Sequence, residues 1–244
     1  MKSLITFLIG LATALAALMA DPSMAAEPAH ESRPLAQSIT AVRLRGSIDL
    51  EITQSDTQSL TIEGRPDQLT RVHTEVRGSE LLIDYDSPME IHLGTHNRHE
   101  PRAILSAKTL ERLKVEGSGD VSIESWKTAG DLDLSLSGSG DATIDSLEAH
   151  NLHVAIQGSD DVKIGRGRVD AVSLQIRGSG DFDAADLRTA SATVSIAGSG
   201  DAVLWATQSL TVSIAGSGDV SYYGHPTLSQ QMAGSGDLTA LGDK

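Results

Sequence analysis

The sequence predicts an all-β fold, a parallel β-helix-like solenoid with coils of about 20 residues. Three observations predict it. A Gly-Ser-Gly-Asp-like turn recurs at near-constant spacing, apolar and polar residues alternate on both sides of each turn, and aromatic residues make up only 3% of the chain. A core of small aliphatic side chains suits a narrow stack of coils better than a thick globule.

The N-terminal segment has the pattern of a cleaved export signal. Lys2 precedes a long apolar run, and Ser23-Met24-Ala25 offers a small-x-small cleavage site. The alternative is a retained membrane anchor, but the run lacks a flanking cluster of positive residues. We expect residues 1–25 to be a signal peptide, with no stable membrane insertion after cleavage. The protein would then be exported to the periplasm or to the cell surface and extracellular space.

The next residues, 26–38, are polar, contain proline and show no periodicity, so we expect a flexible N-terminal segment. The repeat domain is predicted over residues 39–242. Its turn recurs seven times, at steps of 21, 20, 20, 20, 18 and 18 residues. The first residues of these turns are Gly117, Gly138, Gly158, Gly178, Gly198, Gly216 and Gly234.

Apolar residues keep fixed offsets from each turn, as in the copy that begins at Gly138. Alternation with period two before and after a glycine-rich turn predicts two short strands, each with one inward and one outward face. Antiparallel hairpins could also bury such strands. Only stacked parallel coils require the same residue class at each offset, so the constant offsets favour the solenoid.

Residues 39–115 carry the alternation in a looser form, and Gly46-Ser47-Ile48-Asp49 resembles a degenerate first turn. The third turn position is Gly in six of the seven clear copies and Asp160 in the other. Since Gly and Asp tolerate a positive φ, we expect a left-handed backbone at this third position. Ile48 would be strained in that conformation, so the first turn is expected to differ.

Several ordered motifs resemble one family. Repeated LxLxLSGSGD-type coils, the SLTIEG stretch at residues 59–64 and the SYYGHP run at residues 221–226 are similar to the family called putative auto-transporter adhesin head GIN domain. The resemblance covers roughly residues 39–242. It implies a right-handed β-helix-like fold in exported bacterial proteins, and it implies a fold more firmly than a function.

Composition excludes several classes of partner and site. The net charge of −14 argues against nucleic acid and anionic lipid. The absence of cysteine removes disulfides, thiol catalysis and thiolate metal sites. No phosphate-binding loop, nucleophile elbow or HExxH motif is present.

The most conspicuous chemical feature is one aspartate at the end of each turn. Stacked coils would place these carboxylates in a column about 4.8 Å apart. We expect them to accept hydrogen bonds from backbone N–H groups of their own or the neighbouring turn. The more specific alternative is that Ca²⁺ bridges successive carboxylates. The extra carboxylate of Asp160 makes its coil the best local candidate for such a site. The candidate residues are Asp120, Asp141, Asp160, Asp161, Asp181, Asp201, Asp219 and Asp237.

A second candidate metal site is the histidine cluster of His92, His96 and His99 with Glu100. Imidazoles with a carboxylate can bind zinc. Gly94 and Pro101 indicate a loop, however, so we expect a solvated polar loop here. No cofactor is expected unless the aspartates bind Ca²⁺.

We considered a polysaccharide lyase or hydrolase, a pectinase-like enzyme on a β-helix face, as the alternative function. A modest outward polar patch is the only candidate for it. Nothing pairs its members, so no catalytic residue is assigned. The patch comprises Asp133, His153, Gln157, Lys163, Arg177 and Asp183.

The sequence therefore predicts a non-enzymatic, exported structural or interaction module, adhesive or in contact with glycans or envelope components. Exposed aromatic rings are the usual platforms for sugars, which singles out Trp126, Trp205 and Tyr223, although core filling or end capping is expected for each. The exposed strand edges at the ends of a solenoid also offer a route to end-to-end or edge self-association.

Overall fold

The structure is a computed structural model that describes residues 29–86 and 100–244. These residues form a parallel β-solenoid of about seven turns. The described elements are 17 strands and one short helix. The strands of the first part are β1 (Ala29–Arg33), β2 (Ala41–Gly46), β3 (Asp49–Gln54), β4 (Ser59–Gly64), β5 (Val72–Arg77), β6 (Glu80–Tyr85), β7 (Arg102–Ala107), β8 (Arg112–Gly117) and β9 (Val121–Lys127).

The remaining strands build the regular coils, and four of them, of 15 to 17 residues, are long because each runs on through the corner opposite the turn. They are β10 (Leu132–Gly138), β11 (Ala142–Gly158), β12 (Val162–Gly178), β13 (Phe182–Gly198), β14 (Ala202–Gly216), β15 (Val220–Tyr223), β16 (Thr227–Gly234) and β17 (Leu238–Gly242). The helix α1 (Pro66–Leu69) lies between β4 and β5.

Two columns of strands stack along the solenoid. Column A holds the strand residues that precede each turn, and column B holds those that follow it. Each of the long strands β11 to β14 therefore contributes its first part to column B and its last part to column A. Within both columns the regular coils pair in parallel, and the first glycine of each turn lies directly over that of the previous coil. This confirms the predicted coil period. The stacked glycines are Gly46, Gly117, Gly138, Gly158, Gly178, Gly198, Gly216 and Gly234.

The coils shorten from 20 to 18 residues between the turns at Gly198 and Gly216. The pairing of β13 with β14 absorbs the difference through register shifts between Ala184 and Arg188 and between Thr189 and Ser191. These shifts lie at the corner opposite the turn. The turn itself, with the strand that leads into it, therefore keeps its register while the opposite corner changes length.

The N-terminal end departs from the parallel pattern predicted for residues 39–115. There β6 pairs in parallel with β2, and β7 with β3, which extends each column by one strand. Antiparallel strands then cover both columns, with β5 on β6, β4 on β7 and β1 on β4. Gly46 stacks on Gly117 across this long excursion, so the degenerate first turn is a true coil.

The strand β1 also corrects the expectation of a flexible segment over residues 26–38. Residues 29–33 pair antiparallel with β4 along their whole length, and Arg33 donates a hydrogen bond to the Leu69 carbonyl oxygen. Residues 26–28, like the segment 1–25 assigned to the signal peptide, lie outside the described residues.

The core runs along the solenoid as stacked columns of aliphatic side chains. In column A the middle inward position is filled by Leu134, Val154, Leu174, Val194 and Val212, each no more than 3% exposed. Full burial of such a side chain contributes about 1.5 to 3 kcal/mol. Trp126 and Phe182 are the largest fully buried side chains, so the core-filling expectation for Trp126 is confirmed.

The backbone of the turn differs from the expectation in one respect. The first glycine, not the third residue, adopts the positive φ, with values from +132° to +151° in the seven regular turns. No described non-glycine residue has a positive φ, so Asp160 and Ile48 occupy the third position without that strain. The expectation was wrong because a glycine can be required by space alone. A Cβ at Gly180 would lie 2.0 Å from the carbonyl oxygen of Asp160 in the coil below.

Candidate functional site

The exposed aspartates of the turns form a continuous ladder of hydrogen bonds. One carboxylate oxygen of each aspartate except the last, Asp237, accepts a hydrogen bond from the backbone N–H of the aspartate in the next coil, at 2.7 to 3.2 Å. The expected capping is therefore what the structure shows, with the donor in the neighbouring coil. The ladder runs through Asp49, Asp120, Asp141, Asp161, Asp181, Asp201, Asp219 and Asp237.

Asp49 is the member that the sequence reasoning did not single out as a site residue. Its signal was the Gly46-Ser47-Ile48-Asp49 turn, in which the final aspartate is retained. Its carboxylate accepts from the Asp120 N–H, 71 residues away in sequence. The ladder compensates for the repulsion of stacked carboxylates, which is about 1 kcal/mol per close pair in water.

Asp160 differs from all the ladder residues because its side chain is buried. It is 0% exposed, and its Oδ1 accepts a hydrogen bond from the Gly140 N–H at 3.0 Å, while Oδ2 has no hydrogen-bond partner. Burial raises the pKa of the Asp160 carboxyl, against the opposing effect of backbone N–H donors. Since Asp161 is exposed, the two adjacent carboxylates do not converge on one cation.

Within residues 29–86 and 100–244, no group of three or more His, Asp or Glu side chains is arranged to hold a metal ion. The histidine candidates His92, His96 and His99 lie outside the described residues.

The polar patch considered for the enzyme alternative is divided between the two columns. Asp133 and His153 stack on each other in column A, and Gln157 stacks on Arg177 there. Lys163 and Asp183 stack on each other in column B, beyond the turn. The patch therefore presents no pair of carboxylates flanking a cleft, which glycoside hydrolysis requires.

A surface that the sequence reasoning did not assemble lies at the corner opposite the turn. In column B, Arg168 is in register with Arg188, Arg188 with Trp205, and Trp205 with Tyr223. We call these four residues the arginine–aromatic strip. The sequence singles out Trp205 and Tyr223 only as separate aromatic candidates. Their common column follows from the 18-residue coil spacing, which places them 18 positions apart.

The strip concentrates cations and rings on a strongly acidic protein. The Arg188 guanidinium lies over the Trp205 ring at 5.9 Å from its centroid, and the Lys244 ammonium lies over the Tyr223 ring at 4.4 Å. Both arginines are exposed, and neither forms a salt bridge within the described part of the chain. Trp205 and Tyr223 are half-buried, so each keeps part of its ring open to solvent.

An open depression adjoins the strip at Arg168. Its volume is about 500 Å³, and its lining includes Glu148, His150, Arg168 and Asp170. His150 Nδ1 lies 2.9 Å from the Asp170 carboxylate. The depression supplies hydrogen-bond donors and acceptors beside Arg168, at one end of the strip.

The fold and these surfaces define a class of protein: a β-solenoid whose candidate binding groups lie on its open outer surfaces. The chain belongs to the family described as putative auto-transporter adhesin, head GIN domain, whose model matches residues 39–226. The resemblance of the coil motifs is thereby confirmed. Comparison with curated proteins gives no match.

Solved structures of similar fold include three from Bacteroides and Parabacteroides species. A putative adhesin from Bacteroides fragilis is 24% identical with a TM-score of 0.80, over 88% of this chain and 98% of that one. A putative lipid binding protein from Parabacteroides distasonis is 26% identical with a TM-score of 0.68, over 89% of this chain and 98% of that one. A putative adhesin from Parabacteroides merdae is 17% identical with a TM-score of 0.65, over 89% and 97%.

Family and fold together support an adhesin-like module of the cell envelope or surface. None of the names attached to the family or to these structures is that of an enzyme. Over the described ranges, no helix has both the length and the apolar character needed to span a bilayer.

Proposed function

We propose that this chain is an exported interaction module that binds glycans of the cell envelope or of a neighbouring surface through the arginine–aromatic strip. The observation that carries the proposal is the register of Arg168, Arg188, Trp205 and Tyr223 in one column, with the arginines exposed and the aromatic rings half-buried. Three steps between four coils span about 14 Å. This length suits a segment of an extended polymer.

The chemistry of the strip indicates the class of glycan. Aromatic faces pack against the apolar faces of sugar rings, and the polar edges of Trp and Tyr face water. Arg168 and Arg188 are exposed cations that can bind a carboxylate or sulfate in bidentate geometry. We therefore assign the strip to glycans that carry acidic groups, in spite of the overall charge of −14.

Binding is favoured over cleavage because the strip lacks the groups that polysaccharide chemistry needs. Hydrolysis requires two carboxyl groups about 5 to 10 Å apart on either side of the scissile bond. Glu148 and Asp170 border the depression beside Arg168, but their carboxylates are paired with Lys127 and His150. The strip contacts a polymer along an open flank and has no catalytic pair.

Lipid binding, which appears in the name of the structure from Parabacteroides distasonis, is not favoured for this chain. A lipid tail needs an apolar cavity or an apolar exposed face. In the described residues the exposed large hydrophobic side chains are Leu228, Met232 and Leu241, all in the last coil. The flanks of the solenoid are polar.

A glycan array tests the proposal directly. The purified protein should bind acidic glycans more strongly than matched neutral ones, and Arg188→Ala and Trp205→Ala should each reduce binding at least tenfold. Arg177→Ala is the matched control, since Arg177 is an exposed arginine in column A, away from the strip, and its guanidinium donates a hydrogen bond to Gln175. Circular dichroism and thermal melting check that each variant folds.

Two results would contradict the proposal. Equal binding by the strip variants and Arg177→Ala would overturn the assignment of the strip. Release of oligosaccharides during incubation would establish the enzyme alternative instead. Export is tested separately by fractionating cells that produce the full chain, and we expect a mature N-terminus at Ala26 outside the cytoplasm.

A further inference from the structure

The two ends of the solenoid are finished in different ways. At the C-terminal end, β16 pairs only with β14, and β17 pairs only with β15, within the described part of the chain. Each strand therefore has one edge of backbone N–H and C=O groups facing outward. The exposed large hydrophobic side chains of the described residues, Leu228, Met232 and Leu241, all belong to this last coil.

The N-terminal edges carry charged side chains of the kind that oppose strand pairing. The outer strand β1 contains His30, Glu31 and Arg33 among five residues, and the outer strand β5 contains Glu75 and Arg77 among six. Charged side chains on an edge strand are a common protection against the addition of another chain. By contrast, the sequences of β16, TLSQQMAG, and β17, LTALG, contain no charged residue.

The last coil also leaves the core columns uncovered. Leu228, Gln230 and Met232 continue the inward positions of Leu210, Val212 and Ile214 in the coil below. A terminal repeat that ends a solenoid in water normally has a polar outer face. Here two of the three inward side chains in β16 are apolar and 38% to 40% exposed. The third is an amide, which can both donate to and accept from an identical amide.

The end of the described chain does not cover this edge. After β17 the Lys244 ammonium donates to the Ala185 carbonyl oxygen at 3.0 Å and pairs with the Asp186 carboxylate at 2.5 Å. Both acceptors lie in β13, three strands back along column B. The last residues therefore lie along the flank and leave the edges of β16 and β17 open.

We propose that the C-terminal edge is a docking surface for a second copy of this chain, paired tail to tail. Two identical edges related by a twofold axis would add their strands in antiparallel orientation and bury both sets of exposed apolar side chains. The charged N-terminal edges disfavour the alternative head-to-tail addition, which would continue into a filament. The pairing closes as a dimer.

The dimer would also change the relative position of two arginine–aromatic strips. Tyr223 lies in β15, which pairs directly with the last strand β17, so the arginine–aromatic strip reaches the coil next to the junction. Tail-to-tail pairing therefore brings the ends of two strips close to one another. A polymer that contacts both strips would be held with the avidity of two linked sites.

The oligomeric state tests the proposal. The purified mature chain should sediment as a concentration-dependent dimer in analytical ultracentrifugation. Leu228→Lys and Met232→Lys should each raise the dissociation constant at least tenfold, because they place a charge in the pairing edge. Ser213→Lys is the matched control, since Ser213 is exposed on the flank of β14, and it should leave the dimer unchanged.

Cross-linking tests the geometry independently of affinity. The chain has no cysteine, so single variants Leu228→Cys, Gln230→Cys and Met232→Cys report on the edge alone. At least one should form a covalent dimer on mild oxidation, because disulfides require Cα atoms within about 7 Å. Ser213→Cys should not. A wild-type monomer at high concentration, or equal cross-linking at Ser213, would overturn the proposal, as would a dimer unaffected by Leu228→Lys and Met232→Lys.

Discussion

Each glycine of the turn is required by the coil below. The first glycine combines a positive φ with close backbone contact, as at Gly178, where φ is +135° and a Cβ would lie 2.2 Å from the Gly158 carbonyl oxygen. The third glycine is constrained by contact without the positive φ, as at Gly180. The serine between them is exposed at Ser179 and has room for a side chain.

Substitutions within one turn distinguish the tightly packed glycine from the exposed serine. Gly178→Ala should lower the free energy of unfolding by about 2 kcal/mol or more, because it adds backbone strain and a clash with the coil below. Ser179→Ala in the same turn should change the free energy of unfolding by less than about 0.5 kcal/mol. Urea unfolding followed by circular dichroism measures both. Equal effects would show that the turns are not packed as described.

The second prediction concerns the pH dependence that Asp160 confers. Its folded pKa is raised by burial, so the carboxyl is best tolerated when protonated. Its contribution to stability is present below the unfolded pKa and is lost as pH rises through the folded pKa. Asp160→Asn, which stays neutral, should therefore have a Tm that rises relative to the wild type as pH increases from acid to neutral.

The control for Asp160 is Asp145→Asn, since Asp145 is exposed in the same region. Its Tm difference from the wild type should show no comparable growth between acid and neutral pH. A Tm difference for Asp160→Asn that is constant with pH would contradict the assignment of a buried titrating carboxyl.

At the scale of the element, the aspartate ladder links each coil to the next by a side-chain acceptor and a backbone donor. Asp201→Ala should cost about 1 kcal/mol, because it leaves the Asp219 N–H without this acceptor. Asp201→Asn keeps an acceptor oxygen and should cost less. Asp237→Ala is the matched control, since no described residue donates to the last carboxylate of the ladder. Equal losses for Asp201→Ala and Asp237→Ala in urea unfolding would contradict the linking role.

The geometry of the ladder also affects the alternative interpretation of the aspartates as calcium ligands. Calcium takes six to eight oxygens, whereas each coil contributes one ladder carboxylate with one oxygen already bonded to an N–H. We expect the same Tm in millimolar Ca²⁺ and in EDTA. An increase in Tm specific to Ca²⁺ over Mg²⁺ would identify the ladder as a cation site, because a ligand bound only by the folded state raises its stability.

At the scale of the whole molecule, stability is the sum of interfaces between neighbouring coils. Leu174 is 2% exposed in the middle of the stack, and Leu228 is 40% exposed in the last coil. Leu174→Ala should cost about 2 to 5 kcal/mol, and Leu228→Ala less than about 1.5 kcal/mol, because the end position is only partly buried. Urea unfolding at concentrations below dimer formation measures the difference. Similar costs would indicate that the described last coil is covered.

Much of the solenoid could be predicted from the sequence because its stacking is periodic. The register of Gly117 with Gly138, and of each later pair, follows from spacing alone. The antiparallel cover formed by β1, β4 and β5 could not be predicted, because their alternation is equally compatible with parallel coils. Alternation fixes which side chains are inward and leaves the strand direction open.

The coil period, the inward residues and the column of aspartates follow from the sequence, because stacked parallel coils are the arrangement that requires the same residue class at each offset. Which groups meet across coils depends on the tertiary structure. It buried Asp160 beside the exposed Asp161, placed the positive φ at the first glycine, and aligned Arg188 with Trp205 where the coil length changes. These contacts depend on register shifts and on the space between backbones, which residue types do not specify.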